Sequence, residues 1–366
     1  MNPLRQLSEL GQSVWLDDLR RGWLRDGTIA RMIADDGLAG ITSNPAIFEK
    51  AISAGDDYSQ DIRASAGLDP GQIYERLVLD DVRTAADLFA PIYGRDQSDG
   101  FVSLEVSPHL ADDTEGTVNE ARRLWRAFGR PNAMIKVPGT AAGIPAIRRL
   151  LAEGININVT LLFGQARYRE VVESFLAAME ERLAAGQPLR PVSSVASFFL
   201  SRIDVLVDER LDRHDDPRAR SLRGAAAIVN ARLAYNYFQE WSASPRWRKL
   251  ASAGARVQRL LWASTSSKDP AYPDTKYVEP LIVPQTVTTL PLATLDAYRD
   301  HGKPAVCIEQ DLDEARRVVE RLGKLGIDLD EVSTQLEREG VRKFIEPFDK
   351  LHRSLEQRAR SLAAAS

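Results

Sequence analysis

Short β-rich segments alternate with amphipathic helical segments through the first 290 of the 366 residues. This alternation is typical of parallel βα units, because neighbouring parallel strands need a crossover connection that is usually a helix. The eight predicted strands are SVWLD (13–17), GITSN (40–44), FVSLEVS (101–107), AMIKVP (133–138), INVTLLF (157–163), VSSVASFF (192–199), RLLWAST (259–265) and LIVPQTV (281–287). Eight such strands favour an α/β chain folded as a closed (β/α)8 TIM barrel over an open sheet.

The rest of the chain is predicted to be largely helical and to form one domain with the barrel. No linker rich in Pro, Gly or Ser divides residues 1–366, and residues 114–129 have the apolar spacing of a helix. The long insert at residues 49–100 should hold several helices. From about residue 311, segments 311–326 and 329–361 are strongly charged on one face, and we expect them to be additional C-terminal helices packed on the barrel's exterior.

Net charge and cysteine content limit the classes of binding partner and the cellular compartment that fit this sequence. The formal net charge is −4, so no overall positive field attracts nucleic acid or an anionic membrane surface. The single cysteine, Cys307, cannot form an internal disulfide, and it fits a small apolar side chain in a reducing compartment. The N-terminus lacks a signal-peptide pattern and no segment has about 18 uncharged apolar residues, so we expect a cytoplasmic protein. The sequence leaves a homo-oligomer open.

Two of the predicted strands carry polar residues at every second position. One set is Asn158 and Thr160, with Asn156 directly before the same strand, and the other is Ser103, Glu105 and Ser107. Successive side chains of a strand point to opposite faces, so each set shares one face. A barrel filled only with core would carry branched apolar side chains there. We therefore predict a polar lumen.

Lys136 lies inside the apolar predicted strand AMIKVP. Burial there disfavours the charged ammonium form, and a neutral lysine amine is a nucleophile. Such a lysine can form a Schiff base with a carbonyl substrate, and the protonated imine then accepts electrons when a neighbouring C–C bond breaks. The strand pattern alone leaves a second interpretation open, in which Lys136 only reaches solvent or pairs with a carboxylate.

Glu105 and Asp17 could face this lysine from two other strands. Carboxylates next to an amine can move protons during catalysis, but they can equally serve as ion-pair partners that neutralise the amine. Asp18 is adjacent to Asp17 and is predicted to turn outward, toward Arg20 or Arg21. Alternation along the strand does not choose between the two aspartates.

Other polar residues give weaker signals. The four histidines are scattered, and no pair has the spacing of metal ligands. His109 with Asp112 and Asp113 resembles a metal cluster, but a solvated loop explains these residues better. Thr140 in GTAAGIP could bind an anion at a helix start, although the glycines there lack the spacing of a phosphate-binding loop.

Two segments resemble the transaldolase family, whose members are Schiff-base enzymes of the non-oxidative pentose phosphate pathway. GITSNPAIF (40–48) is similar to the first family signature, and MIKVPGTAAGIPA (134–146) is similar to the second, which holds the Schiff-base lysine. The similarity extends from Asp17 to TLPLATLDAY (289–298), and the chain length resembles that of the longer bacterial members. The resemblance implies a class I aldolase-like barrel in which Lys136 forms the Schiff base.

The resemblance also implies roles for residues around the lysine. Glu105 would move protons through a water that Thr160 also holds. Asp17 would accept the proton of the substrate's C4 hydroxyl. Asn44 and Asn158 match family asparagines that hydrogen-bond the dihydroxyacetone part of the substrate.

The phosphate site is where the sequence departs from the family. Ser197 and Arg202 keep the family's spacing in SFFLSR, and a guanidinium fork suits a phosphate group. At the seventh strand many members have a second phosphate-binding arginine, whereas the run here is ASTSSKD. Ser264 fits the family serine, Ser266 stands in place of the arginine, and Lys268 is the nearest cation.

The reaction implied by the resemblance is the transfer of a dihydroxyacetone unit. It would move from sedoheptulose 7-phosphate or fructose 6-phosphate to glyceraldehyde 3-phosphate or erythrose 4-phosphate, with no metal or organic cofactor. One alternative is an aldolase of the fructose-6-phosphate type, which uses the same lysine and releases dihydroxyacetone to water. A tyrosine in place of Phe199 would have pointed to that activity. The other alternative is a noncatalytic barrel that only binds sugar phosphates.

Overall fold

A closed barrel of eight parallel strands forms the centre of the computed structural model, which describes residues 2–53, 56–65, 67–306 and 312–364. The strands pair in chain order, and the first also pairs with the last. They are β1 (Gln12–Leu16), β2 (Gly40–Thr42), β3 (Phe101–Glu105), β4 (Ala133–Pro138), β5 (Ile157–Leu162), β6 (Ser194–Phe199), β7 (Arg259–Ala263) and β8 (Thr286–Leu290). The predicted (β/α)8 fold is confirmed. Cys307 lies outside the described residues.

Seven strands overlap their predicted segments closely, whereas the prediction for β8 begins too early. Residues 281–283 are buried and apolar, but they precede the strand. Pro284 has no amide hydrogen to give to a ladder. Gln285 has a φ of 59° and donates its amide to the Gly11 carbonyl at 2.9 Å, so the chain turns here before β8 begins. The apolar run is therefore a lead-in, and the strand itself is rich in threonine.

Helices surround the barrel, and the insert before β3 holds the end of one helix and two complete ones, as predicted. Helix 114–129 is also confirmed, within one residue. The helices are α1 (Pro3–Glu9), α2 (Arg21–Arg25), α3 (Thr28–Asp36), α4 (Pro45–Ser53), α5 (Ser59–Arg63), α6 (Pro70–Asp96), α7 (Thr114–Phe128), α8 (Gly143–Ala152), α9 (Gln165–Ala184), α10 (Ser201–Leu211), α11 (Pro217–Arg220), α12 (Ala226–Ser242), α13 (Pro245–Ser252), α14 (Leu292–His301), α15 (Leu312–Lys324) and α16 (Leu329–Ala364). Within the described ranges, no helix is long and apolar enough to cross a membrane.

The C-terminal helix α16 runs across the carboxyl end of the barrel. The Ser333 hydroxyl donates to the Phe163 carbonyl just after β5 at 2.9 Å, and the Asp349 carboxylate pairs with His109 after β3 at 2.7 Å. Phe344 lies between these two anchors along the helix and is 4% exposed. The sequence predicted that C-terminal helices pack on the barrel's exterior. It did not predict that one of them crosses the carboxyl ends of the strands.

The lumen of the barrel is polar, as predicted from the alternating residues. The Asn158 amide on β5 donates to the Ser103 hydroxyl on β3 at 3.1 Å and accepts from the Ser197 hydroxyl on β6 at 2.7 Å. All three side chains are buried. Because these buried groups satisfy each other, the lumen can be polar without leaving them unpaired.

Candidate active site

Lys136 and Glu105 face each other from neighbouring strands at the carboxyl end of the barrel. The register between β3 and β4 pairs the two residues directly. The Lys136 Nζ atom lies 3.3 Å from Glu105 Oε2 and donates a 2.8 Å hydrogen bond to the Ser43 carbonyl. The two side chains are 5% and 4% exposed. The lysine therefore has a carboxylate partner, and the pair is held away from bulk water.

Asp17, rather than Asp18, faces this lysine. Asp17 lines the same cavity as Lys136, while Asp18 turns away and forms a 3.1 Å ion pair with Arg20. The Asp17 amide donates to the carbonyl of Leu290 in β8 at 2.9 Å, so the residue continues the ladder just past the end of β1. The structure thus makes the choice that alternation along the strand left open.

Burial changes the acid–base behaviour of both carboxyl groups near the lysine. It raises the pKa of Asp17 above the usual range of an aspartate, and the positive charge of Lys136 partly offsets this effect. Burial also raises the pKa of Glu105, again against the influence of Lys136. A carboxylate with a raised pKa accepts a proton more readily near neutral pH, which suits general acid–base chemistry.

Two buried oxygen atoms beside the lysine have no protein partner. In the part of the chain that the structure describes, Glu105 Oε1 and Thr160 Oγ1 make no hydrogen bond. Leaving a buried polar atom unpaired costs about 1–3 kcal/mol, so such atoms point to a binding role. Thr160 lines the cavity, and Asn158, two residues earlier in β5, is joined to Ser197 in its wall.

The groups described above open into a cavity of about 170 Å³ at the carboxyl ends of the strands, where TIM-barrel active sites lie. Its lining residues are Asp17, Thr42, Asn44, Lys136, Thr160, Ser197, Phe199, Arg202, Leu261, Ala263, Ser264, Ser266, Lys268, Thr289, Pro291 and Phe344. Every residue predicted for the site lines this cavity except Glu105 and Asn158, which contact lining residues. Asn44 also begins α4, where its side chain accepts the Ile47 amide at 3.1 Å.

Two cations stand together on one side of the cavity. The Arg202 Nη1 atom is buried and has no hydrogen-bond partner within the described residues. Lys268 donates to the Ser266 hydroxyl at 2.5 Å, and the hydroxyls of Ser264 and Ser201 lie 2.9 Å apart. Lys268 is exposed as a whole residue, but partial desolvation of its ammonium group lowers its pKa, and the positive charge of Arg202 adds to this effect. Two neighbouring cations repel each other, so their arrangement suits an anion placed between them.

The Phe344 side chain of α16 covers the site like a roof. The sequence analysis did not predict this residue. Its ring centre lies 6.0 Å from Lys136 Nζ and 5.9 Å from the Arg202 guanidinium carbon. Aromatic faces attract cations at about this range. Phe199, which was predicted for the site, lies 5.4 Å from the same guanidinium. The Lys136 amine and the Arg202 guanidinium therefore share an apolar cover.

Three further residues at the site were missed by the sequence analysis. Thr42 and Thr289 lie at or near the ends of β2 and β8 and line the cavity. Polar residues at strand ends were the signal that could have found them. Ser43 acts through its backbone carbonyl, which carries no signal of residue type.

The weaker candidates have structural roles. His109 pairs with Asp349 of α16, and the Asp113 side chain caps α7. The Thr140 hydroxyl donates to the Ala111 carbonyl, in the connection between β3 and α7, at 2.5 Å and accepts from the Gly143 amide at 3.0 Å. Its hydroxyl is therefore occupied, which contradicts the anion-binding hypothesis for this threonine. Among the residues that the structure describes, no three His, Cys, Asp or Glu side chains are grouped to hold a metal ion.

Comparison with known proteins agrees with this geometry. The family model described as Transaldolase/Fructose-6-phosphate aldolase matches residues 14–355. The chain is 48% identical to a transaldolase of Thermobifida fusca and 47% identical to one of Parafrankia sp., with 99% of both chains covered in each comparison. It is 44% identical to the protein named Transaldolase 2 of Nostoc sp., again over 99% of both chains. The chain therefore belongs to the transaldolase/fructose-6-phosphate aldolase family.

Proposed function

We propose that this chain is a transaldolase, which moves a dihydroxyacetone unit from a ketose phosphate to an aldose phosphate. The donors are sedoheptulose 7-phosphate or fructose 6-phosphate, and the acceptors are glyceraldehyde 3-phosphate or erythrose 4-phosphate, in the non-oxidative pentose phosphate pathway. The observation that carries the proposal is the buried Lys136 amine, 3.3 Å from Glu105, in a cavity that also holds two cations. The proposal includes a cytoplasmic location and sugar phosphates as the required partners.

Imine formation begins when the Lys136 amine attacks the C2 carbonyl of the ketose. Glu105 lies close enough to take a proton from the ammonium, which frees the amine to react. A C–N bond forms, and one amine proton moves to the former carbonyl oxygen. This oxygen leaves as water after Glu105 returns the first proton to it, and the third proton stays on the imine nitrogen. Thr160, whose buried hydroxyl has no hydrogen-bond partner among the described residues, holds the water through which the proton from Glu105 moves.

Asp17 serves the next step, the cleavage of the bond between C3 and C4. It takes the proton of the C4 hydroxyl, and the electron pair of the C–C bond moves into the protonated imine. The raised pKa of Asp17 supports this role, because a more basic carboxylate is a better proton acceptor. An aldose phosphate leaves, and a three-carbon enamine stays on Lys136. Asn44 and Asn158 hydrogen-bond its hydroxyl groups.

Arg202 and Lys268 bind the phosphate of the substrate. Arg202 offers a planar fork that can fix the orientation of a phosphate as well as balance its charge. Lys268 adds a second positive charge from the loop after β7, next to Ser264 and Ser266. Ser197 also lines the cavity, where its hydroxyl donates to Asn158.

The apolar roof supports transfer over hydrolysis. In a transferase the enamine must persist until an aldehyde acceptor arrives, whereas an aldolase lets water release the three-carbon unit. Phe344 and Phe199 cover the side of the cavity that holds Lys136 and Arg202, and they limit the access of water. This arrangement favours the transaldolase over the fructose-6-phosphate aldolase alternative.

The test is to follow all products from fructose 6-phosphate with and without erythrose 4-phosphate. We expect sedoheptulose 7-phosphate and glyceraldehyde 3-phosphate when the acceptor is present, and little free dihydroxyacetone without it. Free dihydroxyacetone at the same rate with and without acceptor would identify an aldolase. Binding of the ketose phosphate without any turnover would identify a noncatalytic barrel.

A further inference from the structure

Three aspartates spaced by four residues lie along α10: Asp204, Asp208 and, at its C-terminal cap, Asp212. Residues four apart share one face of a helix, and we call these three the aspartate row. Asp204 and Asp208 are 1% and 5% exposed, so their charges need partners. The same helix carries Arg202 in its first turn.

The first two members of the row bind the loop that follows β7. The Tyr277 hydroxyl donates to Asp204 Oδ2 at 2.9 Å, and the Tyr272 hydroxyl donates to Asp208 Oδ2 at 2.6 Å. Both tyrosines belong to the loop that starts at Ser264 and includes Lys268. The loop is therefore fastened to α10 at two points.

The third member reaches the same loop through Arg223. The guanidinium of Arg223 pairs with Asp212 and, at 3.0 Å, with Asp269. Asp269 is the residue directly after Lys268. The row therefore also holds the chain immediately next to the lysine.

The second oxygen of each buried aspartate is also engaged. Asp204 Oδ1 accepts the Ala227 amide at 2.7 Å, and Asp208 Oδ1 accepts the Gly224 amide at 2.8 Å. Lys276 lies 3.8 Å from Asp204 Oδ2 and 3.7 Å from the centre of the Tyr272 ring. With both oxygens bound, each carboxylate has a fixed orientation from which it can direct the tyrosine hydroxyls.

Fixing the loop matters because Lys268 stands beside another cation. The charges of Lys268 and Arg202 repel each other, and a lysine on a flexible stem gains hydration when it turns to water. An unfastened loop would let the ammonium group leave the cavity. We propose that the aspartate row positions Lys268 beside Arg202. Lys268 can then bind phosphate in place of the second arginine that many family members have, whereas Ser266, which stands at the position of that arginine, carries no charge. This inference rests on the proposed function, because it takes a sugar phosphate as the ligand.

The test is Tyr272→Phe, which removes one hydroxyl and keeps the ring over Lys276. The ratio of kcat/KM for fructose 6-phosphate to kcat/KM for fructose should fall roughly three- to tenfold, mostly through the KM of the phosphorylated substrate. Tyr58→Phe is the matched control, since Tyr58 donates a comparable 2.8 Å hydrogen bond to the buried Asp81 outside the cavity. We expect the control to leave the ratio unchanged.

A double-mutant cycle connects the effect to Lys268. In the Lys268→Ala background, Tyr272→Phe should change the ratio by less than about twofold, since the residue being positioned is gone. An unchanged ratio in Tyr272→Phe, or a full effect that persists without Lys268, would overturn the inference. If Lys268→Ala alone leaves the ratio unchanged, Lys268 does not bind phosphate, and the aspartate row has no positioning role. The product assay tests Schiff-base transfer by Lys136 separately.

Discussion

The ammonium group of Lys136 and the carboxylate of Glu105 lie 3.3 Å apart, and neither side chain is more than 5% exposed. A buried ion pair brings little net stability, because the cost of removing both charges from water offsets their attraction. Its value here is chemical. Glu105 can take the proton and leave a neutral, nucleophilic amine at the base of the cavity.

The two carboxylates should fail at different steps when they are neutralised. Glu105→Gln should slow imine formation, because the amine loses its proton acceptor. Asp17→Asn should allow the imine to form but stall C–C cleavage, so that the adduct trapped on Lys136 keeps the whole ketose. Single-turnover trapping with borohydride separates the two cases. An Asp17→Asn protein that forms no trappable adduct would refute the assignment of roles.

The two cations should contribute unequally to phosphate recognition. Arg202→Ala should weaken phosphorylated substrates by about 2–3 kcal/mol, as for a lost charge-assisted contact, and scarcely affect unphosphorylated ketoses. Lys268→Ala should cost less, because water and salt can partly replace a point charge. The measurement is the kcat/KM ratio of fructose 6-phosphate to fructose. A collapse of this ratio in Lys268→Ala alone would reverse the assignment.

Removing the roof should turn part of the transfer into hydrolysis. Phe344→Ala should raise the release of dihydroxyacetone relative to transfer by about tenfold, which corresponds to ~1.4 kcal/mol of activation free energy. Phe348→Ala is the control on the same helix, where the ring packs against Tyr74 and His352. It should lower stability and leave the product ratio unchanged. Identical product ratios in wild type and Phe344→Ala would remove the water-excluding role.

The free energy of unfolding should depend on pH through the titration of Asp204. Burial raises the pKa of this carboxyl to about 6, whereas an aspartate in an unfolded chain titrates near pH 4. Between these values the folded state binds more protons, so the contribution of Asp204 to unfolding free energy falls as the pH rises, by roughly 2–3 kcal/mol in total. Urea unfolding at several pH values from 4 to 7 measures the free energy of unfolding of both proteins. The value for wild type minus that for Asp204→Asn should fall as the pH rises. A difference that does not vary with pH would contradict it.

Local patterns were sufficient to predict most of the barrel. Strand β4 coincides with its predicted segment, because a short apolar run between turn signals is a local property. The start of β8 was wrong because the apolar run at 281–283 ends at a backbone turn at Gln285, which hydrophobicity does not reveal. The assignment of residues 1–366 to one domain stays a prediction.

The site was predictable to the extent that strand ends define it. The barrel brings the carboxyl ends of its strands together, so Lys136 and Thr160 could be placed in one cavity from strand positions, whereas strand position left Asp17 and Asp18 as equal candidates. Phe344 could not, because its place depends on how a helix far along the chain packs across the barrel. Ser43 could not either, since its contact with the lysine is made by the backbone.

Borohydride reduction in the presence of fructose 6-phosphate tests the Schiff base most directly. Peptide mass mapping should find a three-carbon adduct on Lys136 in the wild type. Lys136→Ala should carry no adduct, keep the circular dichroism of the fold and lose transfer by roughly 10⁴-fold or more. An active wild type with unmodified Lys136, an adduct on another lysine such as Lys276, or near-normal transfer by purified Lys136→Ala would contradict the proposed mechanism.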